Sequence, residues 1–348
     1  MTKTAFYTIA TARYFPGLVA LLNSLRLVGH DEELVVLDEG LTPDQRARLE
    51  PHATLVTLPS EGPRHPALLK AFPAILEPEG VVAIIDSDMI VTRSLDEALA
   101  DARAGRIVVF RDHESSMHRW FAEWERDFEL AAPPRHQVYV NAGFLAVSQE
   151  WWPDFLTRWW KACERIPSSH VAVLPRLLPR RTALARERLW CGDQDALNAI
   201  LMSEVAADAL AVRPDHEQPD WLTEAEVVDA RTLESSYHDE PVSILHFSLG
   251  PKPWERNGWR RARRSPYVEL LPRVLLADDV ALRLEPDELP RWLRGDARAN
   301  AALTALDRLW RSADGLERVG RAGAQRLPGR VRGPLLRLRD RIADRSVS

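Results

Sequence analysis

Along the first sixty residues, apolar positions switch between two periods. Thr4 to Ile9 reads as a strand, and the polar turn Ala10 to Arg13 follows it. Tyr14, Phe15 and Pro16 then open a helix. Its apolar positions Leu18, Leu21, Leu22, Leu25 and Val28 recur at helical spacing, and Gly29 ends it. Leu34 to Leu37 is a second strand. Thr42-Pro43-Asp44 sets a capping residue before a proline and starts a helix to about Leu49. Leu55 to Leu58 is a short third strand. Strand and helix in alternation predict an α/β fold, a mostly parallel sheet flanked by helices.

The pattern continues with a helix over Pro66 to Leu76 and a five-residue apolar run, Val81 to Ile85. That run is too short to span a membrane and fits a strand buried on both faces. It stops at Asp86-Ser87-Asp88, after which Met89, Ile90 and Val91 resume the apolar sequence. Residues 106–110 form another strand. The polar and aromatic stretch 111–135 puts Trp120 and Trp124 four residues apart on one helical face, where core packing outweighs lining an acceptor site. Val138 to Val147 is a strand interrupted by Asn141-Ala142-Gly143, and glycine inside a strand marks a bulge or a close approach. Trp151 to Cys163 is an amphipathic helix with its tryptophans in the core. From Gly192 a further helix buries Ala196, Leu197, Ile200 and Leu201 and leaves Asp193 and Gln194 at its start, where Asp193 suits an N-cap. Val242 to His246 is a strand that runs into a Gly/Pro loop ending at Trp254. Beyond about Pro266 the pattern is helical. It divides the chain into an α/β domain, 1–265, and a helical, Arg-rich extension, 266–348.

Composition narrows the class. The 348 residues are 45% hydrophobic and 28% charged, as in globular proteins, and the net charge of -5 lacks the basic footprint of a nucleic-acid binder. Cys163 and Cys191 are too few for a metal cluster or disulfide framework and fit a reducing compartment. The first residues have no signal-peptide core, and no apolar run reaches the ~18 residues of a membrane helix, so a cytoplasmic location is expected. Residues 314–348 carry nine arginines and four acidic residues, with Leu335, Leu336, Leu338 and Ile342 between them. That mixture suits peripheral contact with an anionic membrane, or equally a solvated or subunit-packing helix. Of 46 basic residues only Lys3, Lys70, Lys161 and Lys252 are lysine, which draws attention to Lys70 and Lys252.

Carboxylates at the carboxyl end of a buried strand sit where open α/β sheets bind ligands, and an i, i+2 pair can converge on one divalent cation. The plainer alternative is that one aspartate caps a helix and the other is solvated. His246 lies where a third metal ligand would be needed, beside a lysine suited to phosphate. The chain has neither a G-x-G-x-x-G nor a Walker loop, so phosphates would need another positive centre.

Four elements, Asp86-Ser87-Asp88, Asn141-Ala142-Gly143, Gly192-Asp193-Gln194 and His246 through Lys252-Pro253-Trp254, together resemble glycosyltransferase family 8. These are the retaining nucleotide-sugar transferases that include glycogenin and lipopolysaccharide galactosyltransferases. The resemblance covers residues 4 to 260 and implies a GT-A fold. It also implies a divalent metal, Mn2+ or Mg2+, on Asp86, Asp88 and His246, and a UDP-sugar donor bridged through its diphosphate. By the same resemblance Lys252 would bind the diphosphate, Lys70 would sit near the donor sugar or phosphate, and Thr8 and Tyr14 would face the nucleobase and ribose. Asn141, Asp193 and Gln194 would surround the transferred sugar, the last two as catalytic residues. Ser87, Ala142, Gly143 and Gly250 complete the donor-binding set. One departure concerns the family loop H-x-x-G-x-x-K-P-W, in which Leu249 here takes the glycine position and Gly250 follows.

The expected activity is hexose transfer to a glycan, lipid-linked or small-molecule acceptor. Retention leaves two routes, Gln194 as nucleophile or dipole, or a same-face displacement; an amide is a poor nucleophile, which favours the second. A non-catalytic GT-A-like scaffold and a sugar nucleotidyltransferase are the alternatives. The turn Ala10-Thr11-Ala12-Arg13 lacks the glycine-rich loop the latter would need.

Overall fold

The computed structural model describes residues 3–58, 65–112, 119–167, 187–219, 225–248, 250–255, 265–290 and 293. The strands are β1 (Thr4–Ala10), β2 (Glu33–Asp38), β3 (Thr54–Val56), β4 (Val81–Ile85), β5 (Met89–Val91), β6 (Ile107–Arg111), β7 (Val140–Ser148) and β8 (Leu210–Arg213). They are followed by β9 (Glu226–Asp229), β10 (Glu234–Tyr237), β11 (Glu240–Pro241) and β12 (Ile244–His246). The principal helices are α1 (Phe15–Leu27), α2 (Pro43–Leu49), α3 (Asp96–Arg103), α4 (Phe155–Glu164), α5 (Asp193–Glu204) and α6 (Pro266–Leu276).

Seven strands form one sheet in the order β3-β2-β1-β4-β7-β6-β8. All neighbours run parallel except β7, which is antiparallel to both β4 and β6. The order turns back at β1 and β4, the switch point beside which α/β sheets open a ligand crevice. Alternation along each strand divides the core into two layers. Phe6, Val36, Val81, Ala83 and Ile85 face α1, α3 and α6, whereas Tyr7, Val35, Val82 and Ile84 face α4 and α5. Every side chain of β4 is buried, as the unbroken apolar run requires. Complete burial of such a Val or Ile contributes about 1.5–3 kcal/mol each.

Local signals explain most boundaries. Thr42 and Gln45 make a reciprocal capping box at the start of α2, just before which the chain leaves the sheet. Gly192, rather than Asp193, occupies the N-cap of α5, so Asp193 is its first helical residue. The single helix expected over Pro66 to Leu76 is instead two short turns, Pro66–Leu69 and Pro73–Leu76. Pro73 has no N–H to give and its ring would strike the preceding turn, so the helix must restart there. Trp120 and Trp124 do not share a helix, because only Trp124–Asp127 is helical. Trp124 is fully buried, while Trp120 stacks on His136 with ring centroids 4.1 Å apart. The helix expected from Trp151 begins at Phe155, since Pro153 biases the residue before it away from helical geometry. Trp159 is in the core as expected, but Trp151 is 60% exposed.

The first compact unit runs from Met1 to Arg294, and Gly295–Ser348 form a second that lies outside the described residues, together with the Arg-rich stretch 314–348. Within the first unit, α6 contributes Tyr267, Leu270, Leu271, Val274 and Leu275 to the core. Buried Asn23 on α1 ties this part of the chain down, donating to the carbonyls of Val274 and Leu282 at 2.6 and 2.7 Å. No helix among the described residues is long and apolar enough to cross a membrane.

Gly17 provides a test of how α1 meets the rest. A Cβ there would lie 2.5 Å from both the Ser87 carbonyl oxygen and the Trp254 ring. Glycine to alanine within a helix ordinarily stabilises by about 1 kcal/mol. Gly17→Ala should reverse that sign and cost about 1–3 kcal/mol from overpacking, read by urea unfolding.

Candidate active site

The site starts where β4 runs out. Asp86, Ser87 and Asp88 turn the chain between β4 and β5, closed by a hydrogen bond from Met89 N–H to the Asp86 carbonyl at 3.2 Å. Because β7 runs against β4, its first residues lie at this same end of the sheet. Val109 of β6 pairs with Leu145 but Phe110 pairs with Asn141, so β7 bulges over Ala142–Phe144. The interruption expected at Asn141-Ala142-Gly143 is this bulge. It presents the Gly143 carbonyl to the Asp86 N–H at 2.9 Å. Gly143 lies in close contact with the site, since a Cβ there would stand 2.3 Å from Met89 Cε, 2.8 Å from Asn141 Oδ1 and 3.0 Å from His246 Cε1.

His246 arrives by a separate pairing. β12 lies antiparallel to β5, with His246 opposite Met89, and Phe247 N–H bonds the Asp88 carbonyl at 3.1 Å. His246 Nε2 is 3.4 Å from Asp88 Oδ1 and 3.7 Å from Asp86 Oδ2. One ligand atom from each of the three residues lies within 4.8 Å of the others. Two carboxylate oxygens and one imidazole nitrogen make a donor set that fits a divalent cation.

Two lysines, Lys252 buried and Lys70 half-buried, complete the charge pattern. Lys252 Nζ stands 2.5 Å from Asp88 Oδ2 and 2.5 Å from the Phe247 carbonyl oxygen. Lys70 Nζ reaches Asp86 at 2.9 Å, Asp193 at 3.1 Å and the Ala142 carbonyl at 3.3 Å. Burial alone would lower both ammonium pKa values, but the carboxylates outweigh it and raise them. Burial likewise works against charge on Asp88, and there Lys252 and His246 prevail and hold its carboxyl below the ordinary range. For Asp193 burial dominates and pushes the carboxyl up.

A second layer hangs on Asp112, which follows β6. Its Oδ1 accepts from the Asn141 amide at 3.1 Å and its Oδ2 from the Gln194 amide at 3.0 Å. Gln194 Oε1 in turn accepts from Ala142 N–H at 3.0 Å. Gln218 donates to Asn141 Oδ1 at 3.2 Å. Behind them Asp195 receives Arg119 at 3.0 and 2.8 Å, Tyr139 at 2.7 Å and the Cys191 N–H at 2.7 Å, which fastens the start of α5 to the strand entering β7. Asp112, Gln218 and the Arg119–Asp195 pair escaped the sequence reading. Asp112 carried a usable signal, an aspartate directly after an apolar strand, as at Asp86. Formally, the carboxylates of Asp86, Asp88, Asp112 and Asp193 exceed the two ammonium groups by two charges, that of one divalent cation.

The fold thus brings Lys70, Asp86, Asp88, Asn141, Ala142, Gly143, Asp193, Gln194, His246 and Lys252 together. Ser87 is buried in the turn. Tyr14 packs edge-on against Trp254, ring centroids 6.2 Å apart, with Lys252 Nζ 5.5 Å from its ring centre. Thr8 is buried on β1, and its hydroxyl has no hydrogen-bond partner among the described residues. Gly250 is exposed with open space where a Cβ would stand, so packing does not require glycine there. Leu249, at the departure from the family loop, lies outside the described residues. A second acidic group, His30 with Glu32 and Asp96, is structural: His30 Nε2 accepts from Leu95 N–H at 2.8 Å and Nδ1 faces Glu32 at 3.1 Å.

No protein-family model matches the sequence, and no curated protein matches it. Among solved structures the chain is similar to the WbbM bifunctional glycosyltransferase in its apo form, with a TM-score of 0.50 and 14% identity over 78% of this chain. The chain spans about half of WbbM, 50% of its length. It is also similar to the galactosyltransferase LgtC in complex with donor and acceptor sugar analogs, at a TM-score of 0.46 and 16% identity over 79% of this chain and 98% of that one. For the glycosyltransferase GlyE of Streptococcus pneumoniae TIGR4 the TM-score is 0.42 and the identity 17%, over 78% and 63% of the two chains. At these identities the likeness to WbbM establishes the fold: the chain has the GT-A architecture expected from its sequence.

The Asp88 environment sets a pH signature in metal-free protein. Its folded pKa lies below the reference 3.8, so its stabilisation is present above that value and is lost as pH falls through the folded pKa. Asp88→Asn should therefore be less stable than wild type at pH 7, with Lys252 left unpaired. The gap should narrow steadily below pH ~4, as read by urea unfolding in EDTA.

Proposed function

We propose that this chain is a metal-dependent, retaining glycosyltransferase that moves a hexose from a UDP-sugar to a hydroxylated acceptor. One observation carries the reading: three ligand atoms from Asp86, Asp88 and His246 lie within 4.8 Å of each other, with a lysine paired to each aspartate. Breaking a sugar–phosphate bond builds negative charge on the diphosphate, and fixed positive charge aimed there lowers the barrier. A cation on Asp86, Asp88 and His246 would act as a Lewis acid toward that charge. Lys252, already charged and 2% exposed, is the side chain that would pair with the diphosphate. Lys70 holds Asp86 and Asp193 in one orientation and links the phosphate end of the site to the sugar end.

The Gln194 contacts bear on the stereochemical route. Its carbonyl accepts from the Ala142 N–H while its amide donates to Asp112. A carboxamide held at both ends is suited to orient and polarise. It is a poor attacking group, which supports a same-face displacement in which the leaving phosphate takes the acceptor's proton. Asp193, buried and paired with Lys70 at 3.1 Å, would orient sugar hydroxyls.

The test is UDP release from a panel of UDP-sugars with Mn2+, Mg2+ or EDTA, together with UDP binding under the same conditions. One donor should be hydrolysed slowly in a metal-dependent manner, and Asp88→Asn should lower the rate about a hundredfold or more. Neither hydrolysis nor metal-dependent UDP binding in wild type would leave a binding protein on a transferase fold. Turnover by Asp88→Asn at the wild-type rate would refute the metal assignment.

A further inference from the structure

Asp112 dictates the direction of every amide attached to it. A carboxylate only accepts, so the groups facing its two oxygens must be the NH2 groups of Asn141 and Gln194. Asn141 then necessarily turns its carbonyl the other way, where it accepts from Gly143 N–H at 2.8 Å and from Gln218 at 3.2 Å. Gln218 in turn must offer NH2 to that carbonyl. Reversing its amide would set two carbonyl oxygens against each other. The chain of constraints therefore ends in Gln218 Oε1, an acceptor. That atom is buried, the residue is only 7% exposed, and no donor meets Oε1 among the described residues. A buried acceptor without a donor is unfavourable and rare in folded proteins. Here its orientation is imposed by three neighbours rather than left free to relax.

The chemistry of the missing partner follows from the surroundings. It must donate a hydrogen bond, which excludes an ionised phosphate or carboxylate oxygen. A metal ion has no reason to choose a neutral amide while Asp86 and Asp88 are at hand. Asp112, on the other side of Asn141, is a carboxylate acceptor too, so a ligand with O–H donors suits this end of the network. We infer that Gln218 is a specificity-determining residue: its Oε1 accepts a hydrogen bond from one hydroxyl of the hexose carried by the donor. This deepens, and rests on, the transferase reading above.

The experiment crosses removal of the residue's acceptor with removal of each sugar hydroxyl. Wild type and Gln218→Met, which keeps length and loses the acceptor, are compared on the preferred UDP-hexose and its singly deoxygenated analogues, by kcat/KM with metal present. Wild type should penalise one deoxy donor at least a hundredfold, because that donor leaves Gln218 unmet. In Gln218→Met that one penalty should shrink to about threefold while the others persist. Equal losses on all donors would make Gln218 a structural residue and overturn the inference, as would unchanged penalties in the variant. Melting temperatures of the two proteins identify a variant that lost activity by unfolding, and Gln218→Leu repeats the test with a second side chain that lacks the acceptor; it should lose the same single penalty as Gln218→Met. If wild type releases UDP but discriminates among no deoxy donors, only this inference fails. If wild type shows neither UDP release nor metal-dependent UDP binding, the transferase reading fails and takes the inference with it.

Discussion

The site depends on one reversal of chain direction. β4 and β6 run the same way, and β7 lies between them running the other way. Their ends therefore coincide: β4 delivers Asp86 and Asp88, β6 delivers Asp112, and the first residues of β7 deliver Asn141, Ala142 and Gly143. A parallel β7 would have carried its bulge to the far edge of the sheet, a strand's length away from the aspartates. The bulge then turns proximity into contact, since the extra residues let the Gly143 carbonyl meet the Asp86 N–H and the Ala142 carbonyl meet Lys70.

That convergence concentrates negative charge in a poorly solvated place, which is tolerable only if the charges are paired. Two segments distant in sequence supply the pairing. Lys70 has three N–H donors and three partners, Asp86, Asp193 and Ala142 O, each from a different element. A compact ammonium can reach in three directions, where a planar guanidinium presents a rigid fork. The scarcity of lysine in this arginine-rich chain thus has a physical reading at positions 70 and 252. Arginine serves elsewhere, as at Arg119, whose two-pronged contact with Asp195 braces the start of α5.

Several parts of the site were legible because a local pattern reported them. The uninterrupted run Val81 to Ile85 marked a central strand, and polar residues at its end had to be at a sheet edge. The glycine inside β7 announced a bulge. The buried stripe of α5 placed Asp193 and Gln194 at a helix start. Asp112 and Gln218 were harder to see, because each matters only through what lies across from it. Asp112 is meaningful as the anchor of two amides, and those amides sit 29 and 82 residues further along. The Trp120–Trp124 spacing misled for the complementary reason: helical periodicity was present, but the surrounding contacts held only one turn in helical form.

By itself the sequence determined what period and residue chemistry can determine. These are the strand and helix alternation, the buried central strand, the carboxylate pair and the motifs that resemble a sugar-nucleotide transferase. Such features depend on neighbours within a few residues, so they survive reading in one dimension. Only the tertiary structure decided that Lys70 bridges Asp86 to Asp193, that Asp112 polarises an amide chain ending at Gln218, and that α6 packs into the core of the first unit. Strand order and direction are set by the burial of whole faces against helices from elsewhere in the chain. No local stretch carries that information, and the partners of a buried charge are found only once the chain has closed around it.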